Sequence, residues 1–252
     1  VASTMLEGGV GLIAFYEFAG DCATEFQTQL EALRAQGMRA LIVDLRDNPG
    51  GWVDAAVRVA DLFLPVPDVY YLQDRAGRRE YYRTTGEDAL GLPTVLLVND
   101  NSASSSEILA GALKDHGAAK IVGVKTFGKG VVQYVLPVGT NGAGLQITAA
   151  QYFTPGGNAV HKVGIAPDVE VKLPEGDTQY YELGDLADAQ LAKAAEVARG
   201  MADEKDGNGE AAAPAAPETL PADEKDAAEA GADADSAAVL RIDAEPELRP
   251  HG

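Results

Sequence analysis

Apolar positions in the first 200 residues fall into short runs and helical stripes that follow one another in a regular order. The run 10–18 predicts a first strand. Asp21 then offers a helix N-cap, and Phe26, Leu30 and Leu33 recur at the i, i+4, i+7 spacing of one helix face, with Gly37 placed to end that helix. The run 40–45 is almost continuously apolar, the pattern of a strand covered on both faces. After the loop Arg46-Asp-Asn-Pro-Gly-Gly51, Val53, Val57, Ala60 and Leu64 predict a second helix. Segments 69–73 and 78–83, joined around Ala76-Gly77, predict a hairpin, and 94–98 a second buried strand. That strand runs through a serine-rich turn into a helix containing residues 108–113. A strand at 121–124, paired strands at 131–138 and 145–152, and a helix over 188–199 complete the pattern. Strands alternating with helices, plus a hairpin and a late antiparallel pair, predict an α/β core with a mixed sheet.

Composition divides the chain at about residue 200. Residues 1–200 are long enough to bury a sizeable core without disulfides or metals. Residues 201–252 turn to Ala, Asp, Glu and Pro with almost no aromatics, and so read as a disordered acidic tail. Within it, only Val239-Leu-Arg-Ile242 suggests a short strand or docking segment. The tail's 14 acidic and 4 basic residues supply −10 of the formal −19 charge. The core is acidic too and has no Lys/Arg stripe for phosphates, which argues against nucleic-acid binding. A single cysteine, Cys22, rules out an intrachain disulfide or a thiolate zinc site, and its place in the first turn of a helix reads as packing. No run approaches the roughly 20 apolar residues of a membrane span, and no signal peptide is visible. The chain begins Val-Ala-Ser, without an initiating Met, and is expected to be a fragment or processed form.

The chemically informative segment is the strand-to-helix junction 102–107. A turn of small residues after a buried strand sets side chains at the C-terminal edge of the sheet, where ligands of α/β folds bind. It also sets Ser104 at a helix N-terminus, where backbone N–H groups and the positive dipole end favour a developing oxyanion. A serine there is most often only an N-cap, and three serines of this turn could serve as one.

The base that would activate Ser104 narrows by geometry. His116 lies 12 residues on, along what should be the same helix, about 18 Å away. His251 falls in the acidic tail, and His161 follows a Gly-rich turn with no acid in place to orient it. A lysine can accept a proton only if a dry setting lowers its pKa from about 10.4 towards 7–8. Lys114 fails the same distance test as His116, and Lys120, at the start of a strand, reads as solvent-facing. Lys129, flanked by Phe127, Gly128, Gly130 and Val131, suits such a setting, while Lys125 stays open.

Three segments then match a family in order and spacing. Asp44-Leu-Arg-Asp-Asn-Pro-Gly-Gly51, Val98-Asn-Asp-Asn-Ser-Ala-Ser-Ser-Ser-Glu-Ile108 and Thr126-Phe-Gly-Lys-Gly-Val-Val-Gln133 closely resemble the carboxyl-terminal processing peptidases, or tail-specific proteases. The resemblance runs from the first strand to about Arg199 and includes Tyr152-Phe-Thr-Pro-Gly156 and Gly164-Ile-Ala-Pro-Asp168. It implies a ClpP/crotonase-like α/β core, no metal or organic cofactor, and an extracytoplasmic location such as a periplasm. It makes Ser104 the nucleophile, Lys129 its general base and Gln133 the residue that orients the lysine. The oxyanion hole would be the N–H groups of Gly50 and Ser105, and Asp115 matches a position tied to activity, though its place near a helix end equally suits a structural role. The expected substrates are proteins with apolar or unfolded C-termini.

Two departures stand out. Members usually read Ser-Ala-Ser-Ala-Ser-Glu, and here Ser105 replaces the second alanine while keeping its backbone N–H. Members also usually carry an upstream PDZ domain that binds the substrate C-terminus, and this chain starts at the strand just after it would end. Two other classes compete with a protease: a non-catalytic binding protein on the same scaffold and a crotonase-type acyl-CoA enzyme. The joint presence of Ser104, Lys129 and Gln133 disfavours the first. The second would need a carboxylate near the oxyanion hole and a basic surface for CoA phosphates, and neither stands out in the sequence.

Overall fold

A computed structural model describes residues 1–65, 68–84, 89–138, 143–173 and 181–207. Its elements in chain order are β1 (Ala2–Leu6), β2 (Val10–Ala14), α1 (Cys22–Ala35), β3 (Ala40–Asp44), α2 (Val53–Asp61), β4 (Asp68–Gln73) and β5 (Arg79–Arg83). They continue with β6 (Thr94–Val98), α3 (Ser105–Asp115), β7 (Lys120–Gly123), β8 (Val131–Val138), β9 (Ala143–Phe153), β10 (Val169–Glu170) and α4 (Ala189–Gly207).

Six strands form one sheet in the order β1-β2-β3-β6-β7-β10, parallel except for the antiparallel β1–β2 pair. Its central strands are apolar throughout because both faces are covered. Leu41, Val43, Leu96, Val98 and Ile121 face the larger core, shared with the buried residues of α1, α2 and α3. Ala40, Ile42, Val95, Leu97 and Val122 face a second core closed by Leu191, Ala194, Ala195, Ala198 and Ala202 of α4. A four-stranded antiparallel sheet, β5-β4-β9-β8, packs beside the first. The fold is the mixed α/β core that the apolar pattern predicts, and β3, β6, the two hairpins and all four helices stand where expected.

Three boundaries differ. β1 was not expected: in Ala2-Ser-Thr-Met-Leu6 only Leu6 is buried, so the segment carries no alternation to read. It folds back on β2 through Gly8 and Gly9, at φ 79° and 72°. The expected strand 10–18 stops at Ala14, beyond which Phe18 bridges to Gly51 and leaves the sheet to meet the 45–51 loop. The third difference corrects the division at residue 200. α4 runs on to Gly207, burying Ala202 and pairing Asp203 and Asp206 with Arg39 at 2.8 and 2.7 Å. Alanine is the strongest helix former and packs closely, so the loss of large apolar residues there marks no chain break. The rest of the tail, with Val239-Leu-Arg-Ile242 and His251, lies outside the described residues.

Candidate active site

Two loops leave the C-terminal ends of β3 and β6 and are laced together. Ser102 Oγ donates to Leu45 O at 2.7 Å, Ala103 N and Ser106 Oγ donate to Asn48 O at 3.0 Å each, and Ser105 Oγ donates to Gly51 O at 2.9 Å. Asn48 is fully buried and anchors the first loop by donating from Nδ2 to Phe15 O at 2.6 Å. Gly50, at φ 99°, rests on Ser104: a Cβ there would come within 2.7 Å of Ser104 Cβ and 2.8 Å of Ser105 N. Only glycine permits that approach.

Ser104 is the N-cap position of α3, at φ 57° and ψ −116°. Such a backbone is costly for a residue with a Cβ, by about 1–3 kcal/mol, and is typically kept at functional sites. Among the described residues only Asp47, Ser104 and Lys162 are non-glycine residues with positive φ, and each lies in a segment that meets at this site. Ser104 is fully buried, and its Oγ has no hydrogen-bond partner among the described residues. Ser104 and Glu107 stand in a capping-box arrangement, but the Ser104 hydroxyl makes no cap hydrogen bond of its own, so capping leaves it unspent.

The reverse contact holds the helix start: Ser104 N donates to Glu107 Oε2 at 3.0 Å. The same oxygen accepts Lys129 N at 2.8 Å, while Glu107 Oε1 accepts Thr126 Oγ1 at 2.6 Å and Gly128 N at 2.7 Å. Burial pushes the Glu107 carboxyl above its ordinary range, and these four donors pull the other way. Tyr152 completes the bracket, its hydroxyl lying 2.5 Å from Lys129 O and 3.2 Å from Ser104 O. Full burial, with the Glu107 charge nearby, drives the phenol well above its usual pKa, so it stays a proton donor. Two side chains thus hold the backbone N–H and C=O of both Ser104 and Lys129.

The remaining candidate bases separate by position. Lys125 is exposed and Lys129 half-buried. Lys120 is exposed, and Lys114 is engaged with Asp168 at 3.1 Å. His116 Nε2 is 2.6 Å from Asp68 O. His161 lies against Gly130, where a Cβ would meet His161 N at 2.2 Å, so its backbone walls the segment that carries Lys129. Gln133 donates to Thr148 Oγ1 at 3.4 Å across the β8–β9 hairpin.

Two further candidates have partners of their own. The Gly50 N–H donates to Asn48 Oδ1 at 2.9 Å, so this amide serves its own loop. It reaches an oxyanion only if Asn48 releases it. The Ser105 N–H sits at the first helical position, where α3 offers no carbonyl to receive it. Asp115 stands eleven residues along α3, about 16 Å from Ser104. It holds the 154–158 turn instead, accepting Gly156 N at 2.8 Å. Glu107 and Tyr152 did not figure among the expected site residues. The Ser-x-x-Glu spacing of a capping box marks Glu107 in the sequence, whereas nothing local marks Tyr152.

A strained, buried serine at a sheet edge thus lies beside the Lys129 backbone, both held by Glu107 and Tyr152. The family model for peptidase family S41 matches residues 9–171, and the chain belongs to that family. It is 40% identical over 191 residues to the carboxyl-terminal-processing protease of Synechocystis sp., covering 76% of this chain and 44% of the relative. The corresponding protein of Bartonella bacilliformis is 35% identical over 175 residues, 67% of this chain and 40% of the relative. Among solved structures, the photosystem II D1 C-terminal processing protease superposes with TM-score 0.66 at 32% identity, covering 77% of this chain and 50% of that one. A putative S41 protease from Bacteroides fragilis shares the fold at TM-score 0.64 and 16% identity, over 79% and 57% of the two chains. The chain spans a little under half the length of the curated relatives it matches.

Proposed function

We propose that this chain is the catalytic core of a serine endopeptidase that cleaves proteins near their C-termini through an acyl-enzyme on Ser104. The observation that carries the reading is the partnerless, buried Ser104 Oγ on a strained backbone tied through Glu107 and Tyr152 to Lys129. Ser104 Oγ attacks the scissile carbonyl as its proton passes to the neutral Lys129 amine, oriented by Gln133. The lysine returns that proton to the leaving amine, and water, deprotonated by the same lysine, hydrolyses the ester. Ser105 N–H and, once freed from Asn48, Gly50 N–H stabilise the tetrahedral oxyanion, each such donor contributing about 2.7–4 kcal/mol.

An apolar substrate suits the surroundings. Trp52 follows Gly51 directly, Phe127 precedes Lys129 by two residues, and Val163 neighbours Gly128; all three are exposed. The names of the curated relatives support a C-terminal cleavage site; an extracytoplasmic setting and an upstream PDZ domain belong to the same proposal. No helix among the described residues is long and apolar enough to cross a membrane.

The test is incubation with an unfolded protein ending in apolar residues, with products read by mass spectrometry. Ser104→Ala and Lys129→Ala are each expected to abolish the product ladder of the unsubstituted chain. Identical ladders from all three would refute the dyad.

A further inference from the structure

Arg46 opens the loop that carries Gly50, and its guanidinium is satisfied from two directions. Nε and Nη2 form a bidentate pair with Asp44 at 3.0 and 2.7 Å. Nη1 reaches across to the start of α4, 2.6 Å from Asp188 Oδ2 and 3.2 Å from Gln190 Oε1. Burial works against the Arg46 charge, but Asp44 and Asp188 outweigh it and hold the guanidinium above its ordinary pKa. The Asp188 side chain, 3% exposed, divides its two oxygens between two tasks. Oδ1 caps α4 by accepting Gln190 N at 2.9 Å and Leu191 N at 3.1 Å, while Oδ2 takes Arg46.

Capping alone does not require this residue, since Asn or Ser would accept the same N–H groups. Nor does a buried ion pair recommend itself for stability, because the cost of desolvating both charges commonly cancels the attraction. What the pair supplies is position. The 45–51 loop is fixed at its far end by Phe18 and Gly51, and beside the nucleophile by the bonds to Ala103, Ser105 and Ser106. At its near end the backbone of Leu45 bonds to Leu97 O and Ser102 Oγ, Asp47 pairs with Asn99, and Arg46 between them is the residue that ties this root to α4.

We propose that Asp188, at the start of α4, is a positioning residue for hydrolysis: through Arg46 it sets the root of the loop that places Gly50 against Ser104. α4 otherwise packs on the opposite face of the large sheet, so the contact couples that helix to the reacting centre. The inference rests on the reading of Ser104 as nucleophile and Gly50 as an oxyanion donor, and its test keeps the two apart.

The 252-residue chain is treated with a fluorophosphonate, whose phosphoryl oxygen would occupy the oxyanion site, and hydrolysis of a quenched peptide with an apolar C-terminus is followed in parallel. Asp188→Asn keeps the helix cap but loses the charge on Arg46. It is expected to slow both labelling and kcat by about tenfold, less than deleting an oxyanion donor, with KM within about twofold since uniform binding is untouched. Asp188→Glu restores the charge at the expense of the cap and should recover part of the rate. Asp206→Ala, at the other end of α4, loosens the helix without touching Arg46 and should label at the unsubstituted rate. An Asp188→Asn protein that labels as fast as the unsubstituted chain overturns the inference, as does an equal slowing by Asp206→Ala. Failure of the unsubstituted chain to label, or labelling of Ser104→Ala, overturns the reading of Ser104 instead.

Discussion

Ser104 occupies a backbone region that glycine enters freely and serine enters at a cost, so its identity and its conformation can be separated by substitution. Ser104→Ala removes the hydroxyl and keeps the strain, because alanine retains the Cβ. Ser104→Gly removes both. The glycine variant is expected to be inactive yet more stable than the alanine variant by about 1 kcal/mol, read as the difference between their thermal or urea unfolding curves. Glu107 offers a second dissection. Its four donors are all N–H or O–H groups, so Glu107→Gln turns an NH2 towards two of them and leaves those two without an acceptor. At about 1–3 kcal/mol for each buried donor so stranded, the variant should unfold well below the parent. It should also lose most activity through displacement of Ser104 and Lys129, although neither reacting side chain has been altered.

Elements carry the next set of consequences. The 126–130 segment is threaded between the nucleophile helix and residues 160–165, with Phe127 N bonded to Ser102 O and Lys162 N to Gly128 O. Gly130 has no room for a side chain against the His161 backbone. Gly130→Ala must therefore shift one segment or the other, with an expected loss of about 1–3 kcal/mol and a fall in kcat larger than that of a comparable surface change. The last described element is α4, and shortening the chain reads its share of stability. Ending it after Gly200 removes the buried Ala202 and both Arg39 pairs and should lower stability by about 1 kcal/mol, most of it from packing, since exposed ion pairs contribute little.

Across the whole molecule, pH acts on two groups in opposite senses. The Glu107 carboxyl is raised in the folded protein, so this group favours the fold below its unfolded pKa, and that contribution is lost as pH rises through the folded value. Activity runs the other way. Protonating Glu107 turns one acceptor oxygen into a donor, and a lysine base must be neutral, so peptide hydrolysis should rise with pH while Glu107's share of stability falls. A rate that stays flat from about pH 5 to 9 would contradict a lysine base.

The parts of this arrangement that were legible in the sequence are those with a local signature. Continuous apolar strands such as 40–44 and 94–98, the Phe26–Leu30–Leu33 stripe, and the small-residue turn before α3 could be read from spacing alone. The motif order then singled out Ser104 and Lys129 through the family resemblance. What escaped depends on contacts between distant segments. Tyr152 reaches back 48 residues to Ser104 O, and the Asn48 side chain takes the Gly50 N–H within a loop whose fold the sequence does not dictate. The length of α4 escaped for a different reason, since alanines that pack tightly on a sheet have the same composition as alanines in a solvated tail.

The conformation of Ser104 also bears on how this family can decay. A copy of the fold released from catalysis would gain nothing by holding a β-carbon in that backbone region, and neutral drift would carry the position towards glycine or asparagine. The crowded glycines at 50 and 130 answer first to neighbouring atoms, so they would outlast the serine. On the proposed reading of Ser104, its replacement by glycine in a descendant would be an early trace of lost turnover, visible without an assay.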